Sequence, residues 1–212
     1  MKAQRIRIRF SKTEAMRFTG HLDLRLTWER TFRRSGLPLA YSGGFKPTPQ
    51  FNFALPLPLG FLSTAELGDF WLSEVCGLQE VQQYLTRALP PGLEIHSLIE
   101  IPDLHRDKLP TLVVSAGYQV ELPQEHGLQA AAVDDLLAEK EIIRERRGKS
   151  YHLRPLILSM ALIEGDDQLK MTLSALPGAT GRPDEVLKAL KVNPLRSLIT
   201  RTNIILRKPE GD

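Results

Sequence analysis

The residues best equipped for chemistry in this 212-residue chain lie between Arg17 and Pro49, in RFTGHLDLRLTWERTFRRSGLPLAYSGGFKPTP. His21 could serve as a general acid or base, and Arg30 and Arg34 follow it as permanent cations. A single histidine with an arginine to stabilise a phosphorane is the least that a metal-independent ribonuclease needs. The same stretch suits plain RNA binding, because Tyr41, Phe45 and Lys46 can stack on a base and neutralise a phosphate. Blander readings stand beside both: His21 as a capping or core-edge histidine, and the loop aromatics as core at the entry of a stiff hairpin. His21 and Asp23 are two residues apart, about 200° around a helix, which is poor geometry for one shared site.

Other catalytic signatures are missing. The chain has no Gly-rich phosphate loop, no HExxH and no GxSxG, and the remaining histidines, His96, His105, His126 and His152, are scattered. Cys76 is the sole cysteine, which excludes an internal disulfide and any multi-thiolate metal or iron–sulfur site within this chain. No cofactor or metal is expected, and enzymatic activity is doubtful. The amino terminus, MKAQRIRIRF, lacks the apolar run of a signal peptide, and no stretch of about 18 apolar residues occurs, so the expected location is cytoplasmic, without a membrane partner.

The net charge of +3 conceals an asymmetry. Residues 1–50 hold 11 Lys/Arg against 3 Asp/Glu, residues 51–140 hold 4 against 13, and residues 141–212 hold 13 against 9. Basic ends around an acidic middle suit a polyanion on one side and a protein partner on the other.

The elements that must position these residues follow from periodicity. Residues 4–11 alternate, Ile6, Ile8 and Phe10 against Arg5, Arg7 and Arg9, which predicts a strand with one buried face. Three arginines on the other face call for negative charge across from them, either an acid row on a neighbouring strand or an RNA backbone. A helix is expected over 20–35, capped near Thr19 and Gly20, ended by Gly36, with Leu24, Trp28 and Phe32 as its buried stripe. Strands follow at 51–59, cut short by Pro56 and Pro58, and at 65–75, then a helix at 78–89 and a strand at 93–101. After residues 102–110, which read as a linker, the pattern repeats: strand 111–122, helix 126–140, strands near 141–146, 153–164 and 168–176, helix 182–191 and strand 198–207. The predicted fold is α+β, two tandem ferredoxin-like β-α-β-β-α-β domains at 1–101 and 111–212. In the second, RERRGKSYHLR at 144–154 is either an RNA-contacting hairpin or a solvated turn centred on Gly148.

RFTGHLDL, ERTFRRSGLPLAYSGGFKPTPQFNFALPLPLG and AELGDFWL resemble the bacterial domain DUF2344, the radical SAM-associated domain, and RPLI at 154–157, RPDEVLKAL at 182–190 and RT at 201–202 resemble its later blocks. The likeness implies a stand-alone member of a family often fused behind radical SAM enzymes, so that any radical SAM role comes from a separate partner chain. Two departures bear on this: Thr48 stands where the family usually has a second histidine, and His152 where it usually has an acidic residue. The element order also looks like that of the RNA-processing proteins of CRISPR systems. The expectation is a non-catalytic RNA-binding accessory protein that presents tRNA or ribosomal RNA to a radical SAM modification enzyme. Its expected RNA contacts are Arg5, Arg7, Arg9, Arg17, His21, Arg30, Arg34, Tyr41, Phe45, Lys46, Arg154, Arg182 and Arg201. The alternatives are a ribonuclease using His21, and a protein-binding adaptor without RNA affinity.

Overall fold

Alternation makes the first strand. In the computed structural model, which describes residues 1–105, 107–146, 148–163 and 167–207, β1 is Gln4–Lys12, and Ile6, Ile8 and Phe10 are fully buried on one face. Helix α1, His21–Ser35, begins after Gly20 and stops at Gly36, whose φ of 74° is a left-handed conformation that glycine adopts without a Cβ penalty. Its buried stripe is Leu24, Trp28 and Phe32, as the 3.6-residue period requires. Strand β2, Phe51–Phe53, is only three residues long because the prolines that follow cannot donate to a ladder. Strand β3 is Leu62–Leu72, helix α2 Leu78–Ala88 and strand β4 Leu93–Glu100.

The structure is α+β and divides into two compact units, Met1–Leu112 joined by Arg207, and Val113–Leu206. In the first, all pairings are antiparallel and the strand order is β4-β1-β3-β2. Its core is aromatic: Phe10 meets Trp28 edge-on at 4.8 Å, Phe51 meets Phe53 at 4.6 Å, and Phe32 lies 5.0 Å from Phe70. Gly68 is required here, since a Cβ at that position would strike the Phe51 ring. Within 102–110, the stretch read from sequence as a linker, Asp103, Leu104 and Asp107 are hydrogen-bonded to this sheet. Trp71 Nε1 donates to Leu104 O at 3.0 Å, and Arg5 donates to the carbonyls of Asp103 and Asp107. A single helical turn, α3, Leu109–Leu112, completes the unit.

The second unit runs through β5, Val113–Glu121; α4, Ala130–Ala138; β6, Ile143–Arg146; β7, Lys149–His152; β8, Ile157–Ile163; β9, Gln168–Leu176; β10, Ala179–Thr180; α5, Pro183–Ala189; and β11, Leu198–Leu206. Its main antiparallel order is β8-β9-β5-β11, with the short β10 continuing along the β8 edge of β9. The strand expected near 141–146 does form, but it pairs with β7 in a separate hairpin turning at Gly148, φ 72°, rather than with the sheet. Ala116, Tyr118 and Val120 of β5 and Leu169 and Met171 of β9 alternate and are buried, as are Val133 of α4 and Val186 and Leu187 of α5.

Candidate functional site

The arginine row of β1 resolves into two kinds of side chain. Arg5 is buried, and its Nη2 and Nε reach Asp69 Oδ2 at 2.6 and 3.0 Å. Arg7 makes a second fork to the same carboxylate, Nε to Oδ1 at 2.8 Å and Nη2 to Oδ2 at 3.0 Å. Asp69 is fully buried, and its carboxylate accepts from both guanidinium groups. The acid that periodicity asked for therefore comes from β3, directly across the register from Arg7. Arg9 is the exposed member of the three.

Beside this cluster, at the free edge of β2, lies a cavity of about 420 Å³, within the range of roughly 300–1,000 Å³ typical of small-ligand sites. Lys2, Arg5, Arg25 and Lys108 bring cations to it, and none of its lining residues among those described is acidic. Trp71 and Phe51 supply aromatic wall; the Lys2 ammonium sits 4.4 Å from the Trp71 ring centre and the Arg5 guanidinium 5.4 Å. Partial burial, and then the charge of Arg5, hold the Lys2 amine below its ordinary pKa. Arg25 is loosely shared with Glu29, at 3.4 Å across an exposed helix turn. Gln50 and Asn52 add amides at and beside β2, Ser42 and Thr48 add hydroxyls, and Leu104 and His105 also line it. Phosphate oxygens, base edges and a base face all find complementary groups in such a site.

The loop 41–49 forms one side of this cavity. Ser42 and Thr48 close it, with Ser42 N donating to Thr48 O at 2.9 Å and Thr48 N to Ser42 Oγ at 3.1 Å. Arg33 anchors it from α1, donating to Pro47 O at 3.1 Å with its guanidinium 5.6 Å from the Tyr41 ring centre. Tyr41 is partly exposed, while Phe45 and Lys46 project wholly from the tip. The aromatics of this loop are thus outside the core.

The other expected contacts are dispersed. His21 is the first residue of α1, half-buried, its ring 5.1 Å from Phe53, which is the core-edge placement; it does not line the cavity. Arg17 braces the Gly60 carbonyl and Glu14. Arg30 and Arg34 are exposed on α1, Arg34 donating to Ala88 O at 3.0 Å. In the second unit Arg154 bonds the carbonyls of Leu137 and Ile157, and Arg182 forks onto Asp184. Arg201 is fully buried beside the Tyr118 ring, where a polyanion cannot reach it. Arg147, within the basic stretch at 144–154, lies outside the described residues.

The structure therefore assembles a cationic site from residues that the motif reading passed over: Lys2, Arg25, Gln50, Asn52, Trp71 and Lys108. A faint signal existed, since Gln50 and Asn52 alternate with Phe51 and Phe53, and Trp71 falls on the same strand face as Asp69. No grouping of three or more His, Cys, Asp or Glu suited to a metal occurs among the described residues, and no helix among them is long and apolar enough to cross a membrane.

Compared with known families, residues 5–183 match the model described as an uncharacterized protein conserved in bacteria, DUF2344. The chain belongs to the DUF2344 family. The match spans the whole of the cationic cavity apart from Lys2, and it runs through the β6–β7 hairpin to the first residue of α5. No curated protein matches this DUF2344 chain.

Proposed function

We propose that this DUF2344 protein is a non-catalytic RNA-binding accessory protein of the cytoplasm that presents tRNA or ribosomal RNA to a separate radical SAM modification enzyme. The observation that carries RNA binding is the acid-free cavity at the β2 edge, where Lys2, Arg25 and Lys108 surround an indole wall beside amide side chains. Arg9, Arg30, Phe45 and Lys46 are exposed and offer further cations and an aromatic ring. The enzyme partner rests on the family resemblance alone. We read both units as ferredoxin-like, because each runs β-α-β-β-α-β when the hairpin and the short β10 are set aside, with the fourth strand beside the first and the third between first and second.

Titrating the protein with total cellular RNA over a range of salt, with Trp71 fluorescence as the reporter and bound species sequenced, tests this. Arg25→Glu with Lys108→Glu should lower affinity and flatten the log–log salt slope by about 0.7 for each phosphate of single-stranded RNA that is no longer neutralised. An unchanged slope in that double variant removes the cavity from the reading. Absence of RNA binding even at low salt would favour a protein-binding adaptor.

One observation favours a second reading, a metal-independent ribonuclease. His105 shares the cavity with Lys108, so an imidazole and a cation meet where RNA would lie, which is not true of His21. Cleavage of RNA by pure protein, abolished in His105→Gln, would establish that reading; intact RNA after prolonged incubation would end it.

A further inference from the structure

The second unit holds an independent polar cavity of about 340 Å³. The β6–β7 hairpin supplies Arg146, Tyr151 and His152, β10 supplies Thr180, and Arg182 comes from the N-cap of α5. Tyr151 OH and His152 Nε2 are both buried, and neither has a hydrogen-bond partner among the described residues. Orphaned polar atoms of this kind are uncommon in folded proteins and call for an occupant. What they can offer is one-sided. Arg146 and Arg182 are obligatory donors; Asp184 occupies Nε and Nη2 of Arg182 and leaves Nη1 uncommitted. Burial, together with the nearby Glu185 carboxylate, pushes the Tyr151 phenol up against the opposing charges of Arg144 and Arg182, so it remains a protonated donor at neutral pH. His152 Nε2 donates in one neutral tautomer and in the imidazolium. None of the cavity's lining residues among those described is acidic.

Four donors, with the neighbouring Asp184 carboxylate already engaged by Arg182, select a group that only accepts. We propose that this cavity binds a phosphate monoester, held by Arg146 and the free edge of Arg182, with Tyr151 OH and His152 Nε2 donating to its remaining oxygens. The site lies wholly in the second unit and does not depend on the RNA cavity of the first. Two sources carry the same group, a free phosphorylated small molecule and the terminal phosphate of an oligonucleotide.

Amide chemical shifts of the full chain, followed during titration with inorganic phosphate at constant ionic strength, test the site. Saturable shifts of Tyr151, His152 and the 178–182 amides are expected, weakened about tenfold in Arg146→Ala, equivalent to ~1.4 kcal/mol. Arg146 is exposed, so that variant should fold normally; Tyr151→Phe, which removes only the orphaned hydroxyl, should weaken binding several-fold. No saturable shift at these amides, or equal affinity in both variants, overturns the proposal. Repeating the titration with an oligonucleotide bearing a 5′-phosphate and its 5′-hydroxyl counterpart separates the sources: preference for the phosphorylated strand assigns a nucleic-acid end, equal weak binding a free phosphate compound. Arg25→Glu with Lys108→Glu should leave these shifts intact, so failure here and failure of the RNA cavity are separately visible.

Discussion

The two units have the same run of main-sheet strands and the same strand order, yet they treat the second face of the sheet differently. In the first unit that face carries Arg5, Arg7, Asp69 and Trp71, and it is covered where Arg5 and Trp71 hydrogen-bond the carbonyls of Asp103, Leu104 and Asp107. In the second, the equivalent positions are Gly117, Gln119, Lys170, Thr172 and Asn203, small or polar residues that border an open depression of about 440 Å³. The contrast shows how a site is made. Covering a charged sheet face forces its ions to pair, and the edge of the cover leaves a concave, cation-rich border. An uncovered face of small side chains has neither the concentrated charge nor the aromatic wall.

The harshest way to break this comparison is at Asp69. Asp69→Ala would leave Arg5 and Arg7 without their anion in a buried setting, and denaturant unfolding should show a loss of about 3–5 kcal/mol. A loss below about 1 kcal/mol would mean that the covered face tolerates unpaired charge and that the pairing does not organise the unit. Next in size is Gly68→Ala, which drives a methyl group into the Phe51 ring beside the cavity; about 1–3 kcal/mol is expected, with a fall in RNA affinity. Retained RNA binding with reduced stability would separate the cavity's shape from its function.

A pH-dependent effect of similar size sharpens the account of the second unit. Burial alone would raise the Glu185 carboxyl, but hydrogen bonds and charge from Lys188 and then Arg144 outweigh it and hold the group below its ordinary value. Because the folded state favours the ionised form, this contribution is present above the unfolded pKa, near 4.5, and is lost as pH falls through the lower folded value. Glu185→Gln should therefore cost about 1–3 kcal/mol at neutral pH, with the gap to the native chain closing under acid. A gap independent of pH would assign the loss to packing. The smallest effect belongs to the open face: Lys170→Glu reverses a cation bordering the depression there and should leave RNA affinity within error. A drop as large as that of Arg25→Glu with Lys108→Glu would move the RNA surface to the second unit.

Local patterns in the sequence determined a good deal by themselves. The bounds of α1 follow from Gly20, the Leu24–Trp28–Phe32 stripe and Gly36, because caps and periodicity act within a few residues. The prolines after Phe53 end β2 for an equally local reason, the missing amide donor. Alternation in β1 also determined that Arg5, Arg7 and Arg9 share a face and need a counter-charge. What alternation could not supply was the partner. Asp69 stands 64 residues from Arg5 along the chain, and only strand register brings them together, pairing Arg5 and Arg7 with one buried carboxylate. The cationic cavity was equally hidden, because Lys2, Arg25, Trp71 and Lys108 come from four separate segments with no common spacing. Tertiary structure decided the site, since a strand edge and a folded-back segment are long-range events that no window of neighbouring residues encodes.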